Sequence, residues 1–132
     1  MKHSVMLIAA SLLSILLLSC HLTDDILREG GLAVRGAWNL VAVLILFVLL
    51  YGTLVLAERR SGYIIMLLGS LFSLVVPVVH MKGKGVGVTS KIANFSGHFF
   101  FVWILIAIGV LGLFSAILSA RGLWNQRRGQ PR

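Results

Sequence analysis

Trp38-Asn-Leu-Val-Ala-Val-Leu-Ile-Leu-Phe-Val-Leu-Leu-Tyr-Gly-Thr-Leu-Val-Leu-Ala57 contains no Asp, Glu, Lys or Arg. A hydrocarbon core about 30 Å thick is crossed by roughly 20 residues of helix, so this stretch suffices for one span. Reading outward, Glu58-Arg59-Arg60-Ser61 interrupts the run, and a second charge-free stretch follows from Gly62 to Met81. Two more lie toward the ends, Ser4 to Cys20 and His98 to Ala120. The pattern predicts an all-α membrane protein of four transmembrane helices, spans about 4–20, 38–57, 62–81 and 98–120, with a basic tail over 121–132. The pieces between spans are too short to bury cores of their own, so residues 1–132 form a single integral membrane domain. Two antiparallel hairpins are the economical packing. A barrel does not fit, because its strands would alternate polar and apolar residues and these runs do not.

Composition points the same way. The chain is 58% apolar and only 12% charged, with a mean hydropathy of +0.99, which excludes a soluble domain. The net charge of +8 needs its own explanation, since excess basic charge suits nucleic acid as readily as a membrane surface. Here it is spread over loops and a tail too short for a nucleic-acid-binding fold, and each cation beside an anionic leaflet contributes on the order of 1 kcal/mol. Topology anchoring accounts for it, and no nucleic-acid partner is expected.

Orientation follows from the basic residues. Lys2, Arg59, Arg60, Arg121, Arg127, Arg128 and Arg132 share one side of a four-span chain, against Arg28, Arg35, Lys82, Lys84 and Lys91 on the other. The positive-inside rule weights Lys and Arg near span ends, so both termini are expected in the cytoplasm. Trp38, Tyr63 and Trp124 fall at span ends, where amphipathic rings favour the headgroup layer.

The first span carries a competing reading. Lys2 and His3, an apolar run and Leu17-Leu18-Ser19-Cys20 have the layout of a lipoprotein signal cleaved before the cysteine. Leu18 is large for its place before the scissile bond, and the run is long for a signal, so an uncleaved helix is the better reading. Cys20 is the only cysteine, which rules out internal disulfides and cysteine-pair redox chemistry.

His21-Leu-Thr-Asp-Asp-Ile26 and Tyr51-Gly-Thr-Leu-Val-Leu-Ala-Glu-Arg-Arg-Ser-Gly-Tyr-Ile-Ile65 resemble segments of small four-span bacterial membrane proteins of uncharacterised activity. The resemblance covers the first loop and the central turn. It implies a multi-pass protein of the bacterial inner (cytoplasmic) membrane with an uncleaved first helix and an incidental Cys20, and it implies no activity.

Helix contacts are expected at small residues, because apolar side chains gain little by leaving lipid for another helix. Gly112, Ala116 and Ala120 recur every four residues in the fourth span, and Gly69 and Ser73 do so in the third. These faces are expected to pack against each other.

Histidine supplies the constellation closest to chemistry. Tracing the spans in and out brings His21, His80 and His98 to one membrane face. If the first helix continues past Cys20, Asp24 and Asp25 lie three and four residues beyond His21, on its side. Imidazoles and carboxylates are ordinary zinc ligands, and two imidazoles can hold haem iron. His21, His80 and His98 are therefore the candidate metal ligands, set against the plain reading that histidine is common where helices leave a membrane.

Other motifs fail. Lys82-Gly-Lys-Gly-Val-Gly-Val-Thr-Ser-Lys91 lacks the Gly-Lys-Ser/Thr order of a phosphate loop, and Lys84 is followed by Gly85. No ionisable group interrupts a span interior, which disfavours proton-coupled transport. No motif calls for a cofactor or for enzymatic chemistry. The leading expectation is a non-enzymatic membrane protein, an accessory subunit or one associating with a second copy. The alternatives are a metal- or haem-binding protein built on the histidines, and a transporter of lipid or a neutral solute.

Overall fold

A charge-free run is not the same thing as a helix, and the first element shows the difference. In the computed structural model, which describes residues 3–28, 36–82 and 98–128, α1 runs His3–Arg28, eight residues past Cys20. Nothing between Cys20 and Arg28 breaks a helix, since there is neither Pro nor Gly, so Asp24 and Asp25 are carried on helical backbone. The other elements are α2 (Ala37–Leu54), α3 (Arg60–Lys82) and α4 (His98–Arg127). All four helices are long and apolar enough to cross a membrane, the character of a multi-pass membrane protein. The basic tail is also helical as far as Arg127, and the Arg128 guanidinium lies 4.6 Å from the Trp124 ring. Lys2, Arg35, Arg132, and the connector from Gly83 to Gly97 with its glycines and lysines, lie outside the described residues.

Helices adjacent in sequence touch, α1 with α2, α2 with α3 and α3 with α4, and α1 also packs along α4, while α1 and α3 meet sparingly. Two apolar layers fill the interior. Ile15, Leu18, Leu49, Ile104 and Ile108 form one, and Leu7, Tyr63, Met66 and Leu118 the other. The outward surface is apolar as well: Leu44, Phe47, Leu68, Trp103 and Val110 are all exposed. In water such a surface would be a liability; against lipid tails it costs nothing.

What distinguishes the inside is small size and hydroxyl groups. Ser11, Ser14, Thr53, Ser70, Ser73, Ser115 and Ser119 are buried. Most satisfy themselves along their own helix, Ser14 donating to the Ala10 carbonyl, Ser70 to Met66 and Ser73 to Gly69, which permits burial in a low-dielectric interior. One bond crosses helices: Ser11 Oγ and Thr53 Oγ1 lie 2.8 Å apart. Thr53 donates its one hydroxyl proton to the Leu49 carbonyl, so Ser11 is the donor between α1 and α2.

The expected contact between α3 and α4 is present at Gly112, where a Cβ would stand 2.9 Å from Ser73 Cβ and 3.1 Å from the Ser70 carbonyl. The rest of the stripe is used differently. Gly69 faces Leu49 of α2 rather than α4, Ala116 is half-buried and Ala120 is exposed. A four-residue repeat drifts around a helix of 3.6 residues per turn, so one stripe cannot serve one neighbour along its whole length. Tyr63 also departs from expectation: it is buried beneath Gly122 of α4 rather than set in a headgroup layer, whereas Trp38 and Trp124 are exposed.

Candidate metal centre

His21 sits about 27 Å along α1 from His3, at 1.5 Å per residue, which brings it to the far end of the span. His80 occupies the last turn of α3, so the carboxyl-terminal ends of these two helices meet. Their Nε2 atoms are 3.0 Å apart, with the rings edge to face. Asp25, one turn beyond His21, places Oδ2 3.4 Å from His21 Nε2 and 3.6 Å from His80 Nε2. His21 is 5% exposed, and His80 and Asp25 are half-buried.

Three ligand atoms from two helices thus converge on one point. Tetrahedral coordination at 2.0–2.2 Å separates neighbouring donors by about 3.3–3.6 Å, whereas octahedral coordination at the same bond lengths brings them to about 2.8–3.1 Å. The two separations to Asp25, 3.4 and 3.6 Å, fall in the tetrahedral range, and the imidazole pair, at hydrogen-bonding distance of 3.0 Å, would open by about 0.3 Å to admit an ion. A point equidistant from the three lies about 1.9 Å from each within their plane, so an ion at zinc-like distance sits about 0.7 Å off that plane, as a tetrahedral centre does. The residues therefore fit a zinc-class ion with three protein ligands and one further position.

A haem does not fit. Two imidazoles on one iron stand on opposite faces of the macrocycle, their nitrogens about 4 Å apart for bonds near 2.0 Å. Here the separation is 3.0 Å, and the Phe101 ring packs against both imidazoles, at centroid distances of 5.5 and 5.6 Å.

The sequence grouped His21, His80 and His98. The structure brings the first two together and supplies Asp25 as the third donor. His98 begins α4, and its side chain lies outside the described residues; α4 contributes Phe101, one turn later. Asp24 is half-buried beside the cluster and is not one of the three donors. The role of Phe101 had no sequence signal, being one of three consecutive phenylalanines. It matters because a ligating imidazole is usually oriented by a bond from its other nitrogen, and His21 Nδ1 is buried with no hydrogen-bond partner among the described residues. Ring packing fixes the imidazole instead.

The cluster adjoins a cleft of about 160 Å³ between α1, α2 and α3, open on one side, whose walls away from His21, Asp25 and His80 are apolar. No protein-family model, curated protein or solved structure matches the chain.

Proposed function

We propose that this chain is a multi-pass membrane protein that binds a zinc-class divalent cation through His21, Asp25 and His80. One observation carries the reading: the three donor atoms lie at mutual separations of 3.0–3.6 Å, drawn from helix ends fifty-nine residues apart in sequence. Without an ion the two imidazoles share a proton between their Nε2 atoms, and a divalent cation bound among the same two nitrogens and the Asp25 carboxylate takes the place of that proton.

The helices pack as two antiparallel hairpins in a bacterial inner membrane, with both termini cytoplasmic and the metal centre at the outer face. The Arg59-Arg60 turn and the basic tail support that orientation, and the meeting of the far ends of α1 and α3 with the start of α4 supports the up-and-down arrangement. An uncleaved first helix belongs to this reading, since Leu7, Ile15 and Leu18 contribute to the core. Association with a second copy or a membrane partner is compatible with it, but would use surface other than Gly112, which is spent on Ser73.

Metal analysis of protein purified without chelator is the test. About one zinc-class ion per chain is expected, lost on substituting His80→Ala while membrane insertion persists, because a boundary histidine contributes little to span hydrophobicity. Protein that neither retains zinc nor binds it when it is added back would overturn the proposal.

A further inference from the structure

Three protein ligands around a zinc-class ion leave one position for an exchangeable group. His21, Asp25 and His80 line one end of the cleft between α1, α2 and α3, and beyond them its walls are Leu22, Ile45 and Phe72. Ile45 and Phe72 also line a second groove of about 390 Å³ on the α2–α3 face, which continues past Leu68 to Ile65 and is apolar throughout. The two cavities thus share a wall and follow one another along α3. From Val76 to Ile65 the helix advances about 16 Å, the scale of a long acyl chain, and the bordering surface is apolar where lipid would lie.

Charge fixes the head of the occupant. A divalent ion with one carboxylate and two neutral imidazoles keeps a charge of about +1 within its ligand set, which the neighbouring Asp24 carboxylate offsets only from outside that set, and an open position on a positive ion is costly at the edge of an apolar cleft. A monoanionic oxygen donor cancels it and fills the fourth position. Resting on the metal reading above, we propose that the ion and the adjoining grooves together bind a long-chain fatty acid: the carboxylate ligates the ion and the chain runs between Leu22, Ile45 and Phe72 along α3. The juxtaposition of a three-donor centre with an apolar groove of acyl length is what carries the inference. Small aromatic acids and phospholipids share parts of this chemistry, but the first leave the second groove empty and the second bring a bulkier, phosphate head.

Cobalt(II) reports the fourth ligand through its visible absorption. The full-length protein, loaded with cobalt in neutral detergent, is titrated with laurate, methyl laurate, acetate and phosphatidylglycerol. Laurate is expected to shift the tetrahedral cobalt bands at saturable concentration, while methyl laurate, which lacks the anionic head, and acetate, which lacks the chain, leave them in place over the same range. Ile45→Trp, which fills the cleft without touching a ligand, should still load cobalt and weaken laurate by on the order of tenfold or more. Cobalt bands indifferent to laurate, or shifted equally by acetate, would overturn this inference and leave the metal reading standing. A shift by phosphatidylglycerol but not laurate would overturn the choice of a carboxylate. Failure to bind cobalt at all would remove both.

Discussion

His21 and His80 bring their Nε2 atoms within 3.0 Å of each other from α1 and α3, the two helices that otherwise meet sparingly. The imidazole pair therefore spans a diagonal of the bundle where apolar packing is thin. An ion held between them would act as a clasp for that diagonal.

Thermal unfolding in detergent should depend on zinc accordingly. A ligand that binds only the folded state adds about 2.7 kcal/mol at a hundred times its Kd, so zinc should raise the Tm of chelator-treated protein by several degrees. Magnesium, which favours six oxygen ligands, should have no such effect. Equal responses to both ions would indicate general salt stabilisation and count against a nitrogen-ligated site.

Adjacent carboxylates allow a sharper comparison. Asp25 Oδ2 faces both imidazoles, while Asp24 is not among the three donors. Asp25→Asn should weaken zinc by about a hundredfold or more, close to 3 kcal/mol, and Asp24→Asn by less than about tenfold. Isothermal titration of the purified variants measures both, and similar losses in the two would contradict the assignment of Asp25 as ligand.

Legibility in the sequence divides along physical lines. Span number and approximate position follow from charge-free length alone, because lipid imposes that length on a helix; three of the runs lie wholly on helices, and the second, 38–57, outlasts α2, which ends at Leu54 with Val55, Leu56 and Ala57 in the turn that follows. Helix ends were less visible: nothing local stops α1 at Cys20, and α4 runs through the Arg121-Gly122 stop signal because Gly122 is used for close packing on Tyr63, so both continue into charged sequence. At the site, the i, i+4 relation of His21 to Asp25 was readable once α1 was allowed to continue. The approach of His80 needed only the in-and-out tracing of spans. Phe101 and the adjoining grooves depend on rotation of helices about their axes, which a nearly all-apolar sequence leaves unmarked.

Packing between α3 and α4 is testable at Gly112. A Cβ there meets Ser73 Cβ at 2.9 Å and the Ser70 carbonyl at 3.1 Å, and a backbone oxygen cannot rotate away. Gly112→Val should destabilise the protein by about 1–3 kcal/mol through overpacking. Ala120→Val, on an exposed position, should stay within about 0.5 kcal/mol. Unfolding titrations of both variants check this, and an unaffected Gly112→Val would mean that the two helices are not in close contact there.

Buried hydroxyls give substitutions of opposite sign. Thr53 accepts from Ser11 and donates to the Leu49 carbonyl, each at 2.8 Å, so Thr53→Val removes the acceptor that Ser11 uses across the α1–α2 contact. Interhelical hydrogen bonds in membrane proteins average about 0.6 kcal/mol and reach about 1.7. A buried pair belongs toward the upper end, and a loss of about 1–1.7 kcal/mol is expected. Ser119 is equally buried, at 0% exposure, but its hydroxyl has no hydrogen-bond partner among the described residues. Ser119→Ala removes the unsatisfied buried hydroxyl and with it a desolvation cost, leaving only a hydrogen's volume in its place, so the variant should be neutral or stabilising by up to about 1 kcal/mol. Reconstituted protein compared by unfolding in mixed micelles separates the two effects. A Ser119→Ala variant as damaged as Thr53→Val would show that the Ser119 hydroxyl makes a bond across the bundle after all.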